Sequence, residues 1–134
     1  MIEYLSEQQV LHLHHSLLAA NGGADATGGD AGLRDRGMLQ SALARPAASF
    51  AGQDLYVSLA EKAATLMHSL VSNHAFVDGN KRIAIAATEL FLIANGSRIE
   101  ADTDALEQLT LAAASSQIGR EEIRIWIEQR IHRE

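Results

Sequence analysis

Apolar residues recur along this chain at three- and four-residue intervals rather than at every second position, a spacing that predicts helices joined by short loops. Val10, Leu13, Leu17 and Leu18 mark a first helix. Ser6 with Gln9 three residues later is a capping-box signal at its start, and Asn21-Gly22-Gly23 marks its end. A second, shorter helix is expected after Asp35, whose carboxylate can accept from the free N–H groups of a first turn. Met38, Leu39 and Leu43 lie on its apolar face, and Pro46 ends it or follows its end. From about Leu55 to Asn73, Leu59, Ala63, Leu66, Met67 and Leu70 form one continuous face of a long helix. Between Ile83 and Ala94 only Thr88 and Glu89 are polar, so this helix is expected to be the central, most buried one, stopped by Asn95-Gly96. Two more helices follow, from about Asp104 to Ser115 and from about Glu121, the last carrying Ile123, Trp126, Ile127 and Ile131. No segment longer than "GSRIEA" alternates as a strand would. The reading is all-α, one domain over residues 1–134, packed around a buried central helix.

Composition narrows the function classes. Hydrophobic residues make up 47% and charged residues 21%, the balance of an ordinary soluble globular protein. No apolar run approaches the roughly 20 residues of a membrane span. "MIEYLSEQQV" also lacks a charged start followed by an apolar core, so a cytoplasmic protein with no membrane contact is expected. The absence of cysteine removes disulfides, thiolate catalysis and cysteine-ligated zinc. A net charge of −6 argues against direct nucleic-acid binding, which depends on neutralising phosphates with Lys and Arg. Any phosphate chemistry must come from a local basic site.

One stretch supplies such a site. "HAFVDGNKR", His74 to Arg82, places an imidazole, a carboxylate, a glycine and two cations directly before the apolar helix. A helix N-terminus leaves backbone N–H groups unpartnered and carries a partial positive charge, so it is a prepared anion site. Gly79 lets an anion approach the backbone, Asn80 adds an amide donor, and Lys81 and Arg82 add full charges where they oppose the helix dipole. A bound phosphate would offset them. Alternatively Asp78 caps the helix and pairs with Lys81 or Arg82, which would make the cluster purely structural. His74, with an unperturbed pKa of about 6.5, suits a general base on a hydroxyl. Asp78 suits the single carboxylate that holds magnesium beside a nucleotide. Together these residues form a minimal set for moving a phosphate-containing group onto a hydroxyl.

The nine-residue motif resembles that of the Fic/Doc superfamily, specifically its death-on-curing (Doc) branch, in which Lys follows Gly-Asn where nucleotidyl-transferring Fic proteins carry glycine. "YLSEQQVLHLH", "GLRDRGMLQSALARP" and "EKAATLMHSLVSNHAFVDGNKR" resemble that branch in order and spacing, over nearly the whole chain. The resemblance implies an all-α toxin of a toxin–antitoxin pair. Its implied activity is that of a protein serine/threonine kinase: transfer of the ATP γ-phosphate, with magnesium, to a threonine of elongation factor Tu, halting translation. Carried over by position, His74 is the base, Asp78 the magnesium-linked carboxylate, and Asn80, Lys81 and Arg82 hold the phosphates. The second arginine of nucleotidyl-transferring Fic proteins is replaced by Ile85, which argues against AMP transfer, the alternative activity. Ala75 stands where proline or a branched residue is frequent, and Ser72 where a basic residue is common. A third reading is a catalytically silent module that binds the antitoxin.

The resemblance also implies a target-positioning flap over Arg45 to Gln53. The inhibitory pattern Ser/Thr-x-x-x-Glu-Gly/Asn of Fic-type enzymes has only a coincidental match in "TDALEQ", Thr103 to Gln108, so inhibition is expected from a separate antitoxin segment folding into an apolar groove. In "HLHH", His12 and His15 can share a helix face, but no carboxylate accompanies them at helical spacing, and a metal site there is not expected. His14 is expected to pack beside Val10 and Leu17, and Trp126 in the core. The loop Asn21–Gly32 reads as a solvated linker, with a place beside the target as the alternative. Arg34 and Asp35 of "GLRD" match a family signature, although a helix cap and an ion pair explain them equally well.

Overall fold

The computed structural model describes residues 1–20 and 32–134; the helix stop expected at Asn21-Gly22-Gly23 and, apart from Gly32, the linker expected over residues 21–32 lie outside them. Six α-helices dominate the described residues: α1 (Glu7–Ala20), α2 (Arg36–Ala44), α3 (Leu59–Asn73), α4 (Asn80–Ala94), α5 (Thr103–Ala114) and α6 (Arg120–Glu128). Their starts follow local hydrogen bonding. The Ser6 N–H donates to Gln9 Oε1 (2.8 Å) while Gln9 N–H donates to Ser6 Oγ (3.1 Å), the reciprocal box read from the sequence. Asp35 accepts from Met38 N–H and Asp102 from Ala105 N–H. A second box, Ser58 with Glu61, starts α3 at Leu59 rather than at Leu55. The cap overrides the apolar residue upstream, because it satisfies first-turn donors that Leu55 could not.

The centre of the bundle is α3, not α4. Ten of the fifteen α3 residues are buried, against six of fifteen in α4, whose Ile93 is 59% exposed. Helices α2, α4, α5 and α6 all pack on α3, so even its polar Lys62, Thr65 and Ser69 are enclosed. Burial follows the number of neighbours, and those polar residues hid it from an apolar-run reading. Val10, Leu39, Leu66, Met67, Leu70, Phe76, Ile83, Phe91, Ile123 and Ile127 lie in one continuous core. Trp126 only packs against that core, and Met38 is 43% exposed, so its place on the apolar face of α2 is corrected.

Two short antiparallel strand pairs, one a hairpin and one joining the two ends of the α5–α6 segment, complete the described residues. β1 (Ser49–Phe50) pairs antiparallel with β2 (Gln53–Asp54), with Ser49 opposite Asp54, across the turn Ala51-Gly52. Both turn residues have positive φ, 53° and 78°, as a two-residue turn between twisted strands requires. A 3-10 turn, Arg45–Ala47, carries Pro46 between α2 and this hairpin. β3 (Ser97–Ile99) follows Gly96, whose φ is 77°, and pairs antiparallel with β4 (Ile131–Arg133). Ile131 thus belongs to a strand rather than to the last helix. Each strand is only two or three residues long, too short for alternation to be visible. Among the described residues no helix is long and apolar enough to cross a membrane.

Candidate active site

The motif is the connection between the ends of α3 and α4. His74 closes α3 in the left-handed conformation (φ 49°, ψ 50°), which costs a non-glycine residue about 1 kcal/mol or more unless its surroundings enforce it. The segment Gly32–Asp35 enforces it. Arg34 Nε donates to the His74 carbonyl (2.8 Å), joined by a second guanidinium nitrogen of the same side chain. The Arg34 and Asp35 N–H groups both donate to Ala75 O (2.7 and 3.0 Å), and Val77 N–H donates to Gly32 O (2.7 Å). Leu33 and Phe76 therefore form an isolated antiparallel bridge. In "GLRD", then, Asp35 caps α2, and Arg34 staples backbone and forms no ion pair among the described residues.

Inside the loop, Asn80 folds back over Phe76. Its Oδ1 accepts from Phe76 N–H (3.1 Å) and its Nδ2 donates to Phe76 O (2.8 Å). The expected amide donor thus serves first to hold the loop. Phe76 is buried, as is Ala75, while His74, Val77 and Asp78 are exposed. His14 of α1 is not packed simply beside Val10 and Leu17: its ring stacks on Phe76 (centroids 3.8 Å apart) and its Nε2 lies 2.8 Å from Asp78 O. A carbonyl only accepts, so Nε2 carries a proton. Burial pulls the His14 pKa below its ordinary value, more than the Asp78 contacts raise it, which favours the neutral ring. The sequence signal for this contact was one buried-face histidine in "HLHH", which does not name its partner. His12 is exposed, and no group of three metal-ligating side chains exists among the described residues.

Gly79, with φ 81°, is the N-cap of α4 and contributes no side-chain cap. Asp78 accepts instead from the adjacent Gly79 N–H (2.8 Å) and makes no ion pair with Lys81 or Arg82, so the reading in which Asp78 neutralises them is not what forms. No acidic residue occupies the first turn of α4, and among the described residues neither Lys81 nor Arg82 has an ion-pair partner. α6, which also begins at a glycine without a side-chain cap, carries Glu121 and Glu122 in its first turn. The N–H groups of Asn80, Lys81 and Arg82 precede the first intrahelical bond, Ile83 N–H to Gly79 O (2.9 Å). Two exposed cations and these donors converge on a cleft of about 290 Å³ lined by Asp78, Gly79, Asn80, Lys81 and Arg82. A second cleft, about 340 Å³, shares Lys81 and Arg82 and runs between Ile85 of α4 and Glu107, Gln108, Thr110 and Leu111 of α5. Glu107, from the "TDALEQ" segment, lines that groove without pairing with either cation.

The arrangement can bind an oxyanion, hold a divalent cation through one carboxylate, and present an exposed imidazole from the same loop. A lone carboxylate suits magnesium better than a metal that needs an all-protein cage, since magnesium keeps water and phosphate ligands. The N-terminal portion, residues 4–92, matches the model of the Fic/DOC family. A protein named toxin Doc, from Mycolicibacterium smegmatis, is 46% identical over 104 residues, covering 78% of this chain and 73% of that protein. A protein named protein kinase doc, from Escherichia phage P1, is 29% identical over 118 residues, covering 88% of this chain and 87% of that one. With the family model matched across α1 to α4 and a Doc relative aligned over most of both chains, the protein belongs to the Fic/DOC family, within its Doc branch.

Proposed function

We propose that this protein is the toxin of a toxin–antitoxin pair and a protein kinase that transfers the ATP γ-phosphoryl group to a threonine hydroxyl of elongation factor Tu. The observation that carries this reading is the mouth of α4: two cations without an ion-pair partner among the described residues, and first-turn N–H groups, over a cleft edged by the Asp78 carboxylate. The names of the Mycolicibacterium and phage P1 relatives support the toxin and kinase parts respectively. His74 takes the proton of the incoming hydroxyl, the hydroxyl oxygen bonds to the γ-phosphorus, and the bond from that phosphorus to the ADP oxygen breaks. Lys81, Arg82 and the N–H groups from Asn80 onward hold the phosphoryl oxygens, and Gly79 admits them to the backbone. Asp78 would hold magnesium, which supplies charge neutralisation on the phosphates.

The flap expected over Arg45 to Gln53 corresponds to the 3-10 turn and the β1–β2 hairpin, whose Phe50 is 76% exposed. We assign it the placement of the target segment. A cognate antitoxin, a cytoplasmic location, action as a single domain, and the absence of nucleic-acid or membrane partners belong to the same proposal. Intact-mass spectrometry of elongation factor Tu, incubated with this protein, ATP and magnesium beside a His74→Ala control, tests it. One phosphoryl increment with the wild type alone is expected. An AMP increment would mean that Lys81 and Ile85 do not exclude nucleotidyl transfer. No increment would refute the assigned target and favour a silent antitoxin-binding module.

A further inference from the structure

His14 sits sixty-four residues from Asp78 in sequence, yet its ring is enclosed by the motif loop and the segment paired with it. Phe76 covers one face. A Cβ on Gly32 would approach His14 Cε1 to 3.0 Å, and one on Gly79 would approach His14 Nε2 to 3.4 Å; both glycines have positive φ, 83° and 81°. The ring therefore fills a space that these two backbone positions leave open. Its Nε2–H holds Asp78 O, the carbonyl of the Asp78–Gly79 peptide. The N–H of that same peptide holds Asp78 Oδ1 (2.8 Å). Fixing the carbonyl fixes the peptide plane, and the plane sets the direction in which the N–H presents itself to the carboxylate.

We infer that His14 is a positioning residue for the Asp78 carboxylate, acting through the Asp78–Gly79 peptide rather than by touching substrate. The inference deepens the proposed function, since a fixed Asp78 matters only if that carboxylate serves the phosphates. The backbone geometry is tested independently of any activity. Core packing alone would make the ring's volume matter and its Nε2–H irrelevant. Positioning makes the donor's location decisive.

Glutamine and asparagine separate the two. The amide nitrogen of glutamine stands near the place of Nε2, whereas that of asparagine stands near Nδ1, one bond short of Asp78 O. The test compares His14→Gln and His14→Asn with the wild type, at a temperature well below the melting point of each. The Gly79 amide is followed by its NMR chemical shift and hydrogen-exchange rate, and phosphoryl transfer by kcat and KM for ATP. His14→Gln is expected to keep the Gly79 amide signature and most of kcat. His14→Asn is expected to shift the Gly79 resonance, to speed its exchange, and to lower kcat by about tenfold to a hundredfold, the range seen when outer partners of metal ligands are removed. The KM for ATP is expected to move far less, because Lys81 and Arg82 remain in place. Equal behaviour of the two variants at Gly79 would overturn the inference. A perturbed Gly79 with unchanged kcat would overturn the link to Asp78. If the wild type transfers no phosphoryl group, the proposed function fails, while the Gly79 comparison still decides whether His14 fixes the peptide.

Discussion

Replacing Lys62 by methionine probes the attachment of the β1–β2 hairpin to the bundle. The Lys62 side chain is 1% exposed, and its Nζ donates to Pro46 O (3.3 Å) and to Asp54 Oδ2 (3.1 Å), so one ammonium grips the chain before β1 and within β2. Burial lowers its pKa, but hydrogen bonds with Tyr4 and Asp54 outweigh burial and hold the ammonium above its ordinary range. Methionine keeps the stem and removes the donor. The bond to the buried Pro46 carbonyl is a hydrogen bond to a charged group, worth about 1.5–3 kcal/mol. The Asp54 contribution is small, at most about 1 kcal/mol, because that carboxylate is 53% exposed and rehydrates. Relief from burying a charge offsets part of the loss. The expected net cost is about 2 kcal/mol, or roughly 8 °C in Tm for a chain of this size. Asp54→Asn should cost less than about 1 kcal/mol. Thermal and urea unfolding followed by circular dichroism at pH 7.5 measures both. A raised folded-state pKa means the stabilisation is complete below the unfolded lysine pKa of about 10.4 and is lost as pH rises through the folded value, so the two proteins should converge in strong alkali. A Lys62→Met protein as stable as the wild type, or an Asp54→Asn protein just as unstable, would refute the reasoning.

Four further outcomes are expected. His74→Ala and Lys81→Ala should each abolish phosphoryl transfer in the mass assay while shifting stability by no more than about 0.5 kcal/mol, since both side chains are exposed. Gly79→Ala should destabilise by about 1–2 kcal/mol in urea unfolding, because its φ of 81° strains any side chain and the new Cβ meets His14. Glu89→Gln should raise Tm at pH 7: burial raises the Glu89 pKa, so its carboxylate opposes folding above the unfolded value of about 4.3, and the advantage should vanish below that pH. His68 has its pKa lowered by burial and then by Arg45 and Arg120, so the wild type should lose stability as pH falls below about 6.5, and His68→Gln should flatten that part of the Tm profile.

Helices were legible in the sequence where one residue both capped and patterned them, as at Ser6 and Asp35. The motif was legible because imidazole, carboxylate, glycine and cations are contiguous. What escaped was long-range. Nothing in "EKAATLMHSL" marks α3 as the centre, because centrality depends on four other helices packing around it. Arg34 read as a family-signature residue or half of an ion pair, and His14 as a core imidazole; their bonds to His74 and Asp78 carbonyls involve backbone atoms, which every residue offers equally. Asn80 shows a role of the same hidden kind, since the amide read as a ligand donor also holds the Phe76 peptide. Strands of two or three residues fall beneath any periodicity.

Both ends of the described chain are tied to one corner of the bundle. Glu3 exchanges two hydrogen bonds with the Asn95 amide, N–H to Oδ1 (2.8 Å) and O from Nδ2 (2.9 Å). Glu134 N–H donates to Gly96 O (2.8 Å), beside the β3–β4 pair. Asn95 and Gly96 close α4, whose fifteen residues span about 22 Å at 1.5 Å per residue, and the opposite end of that helix is the mouth proposed to hold phosphates. A tether fused at residue 1 or residue 134 therefore pulls on the same corner. Mechanical load applied between the two ends shears hydrogen bonds at Asn95 and Gly96 before it reaches His74, and a protein immobilised through either end presents its cleft away from the surface.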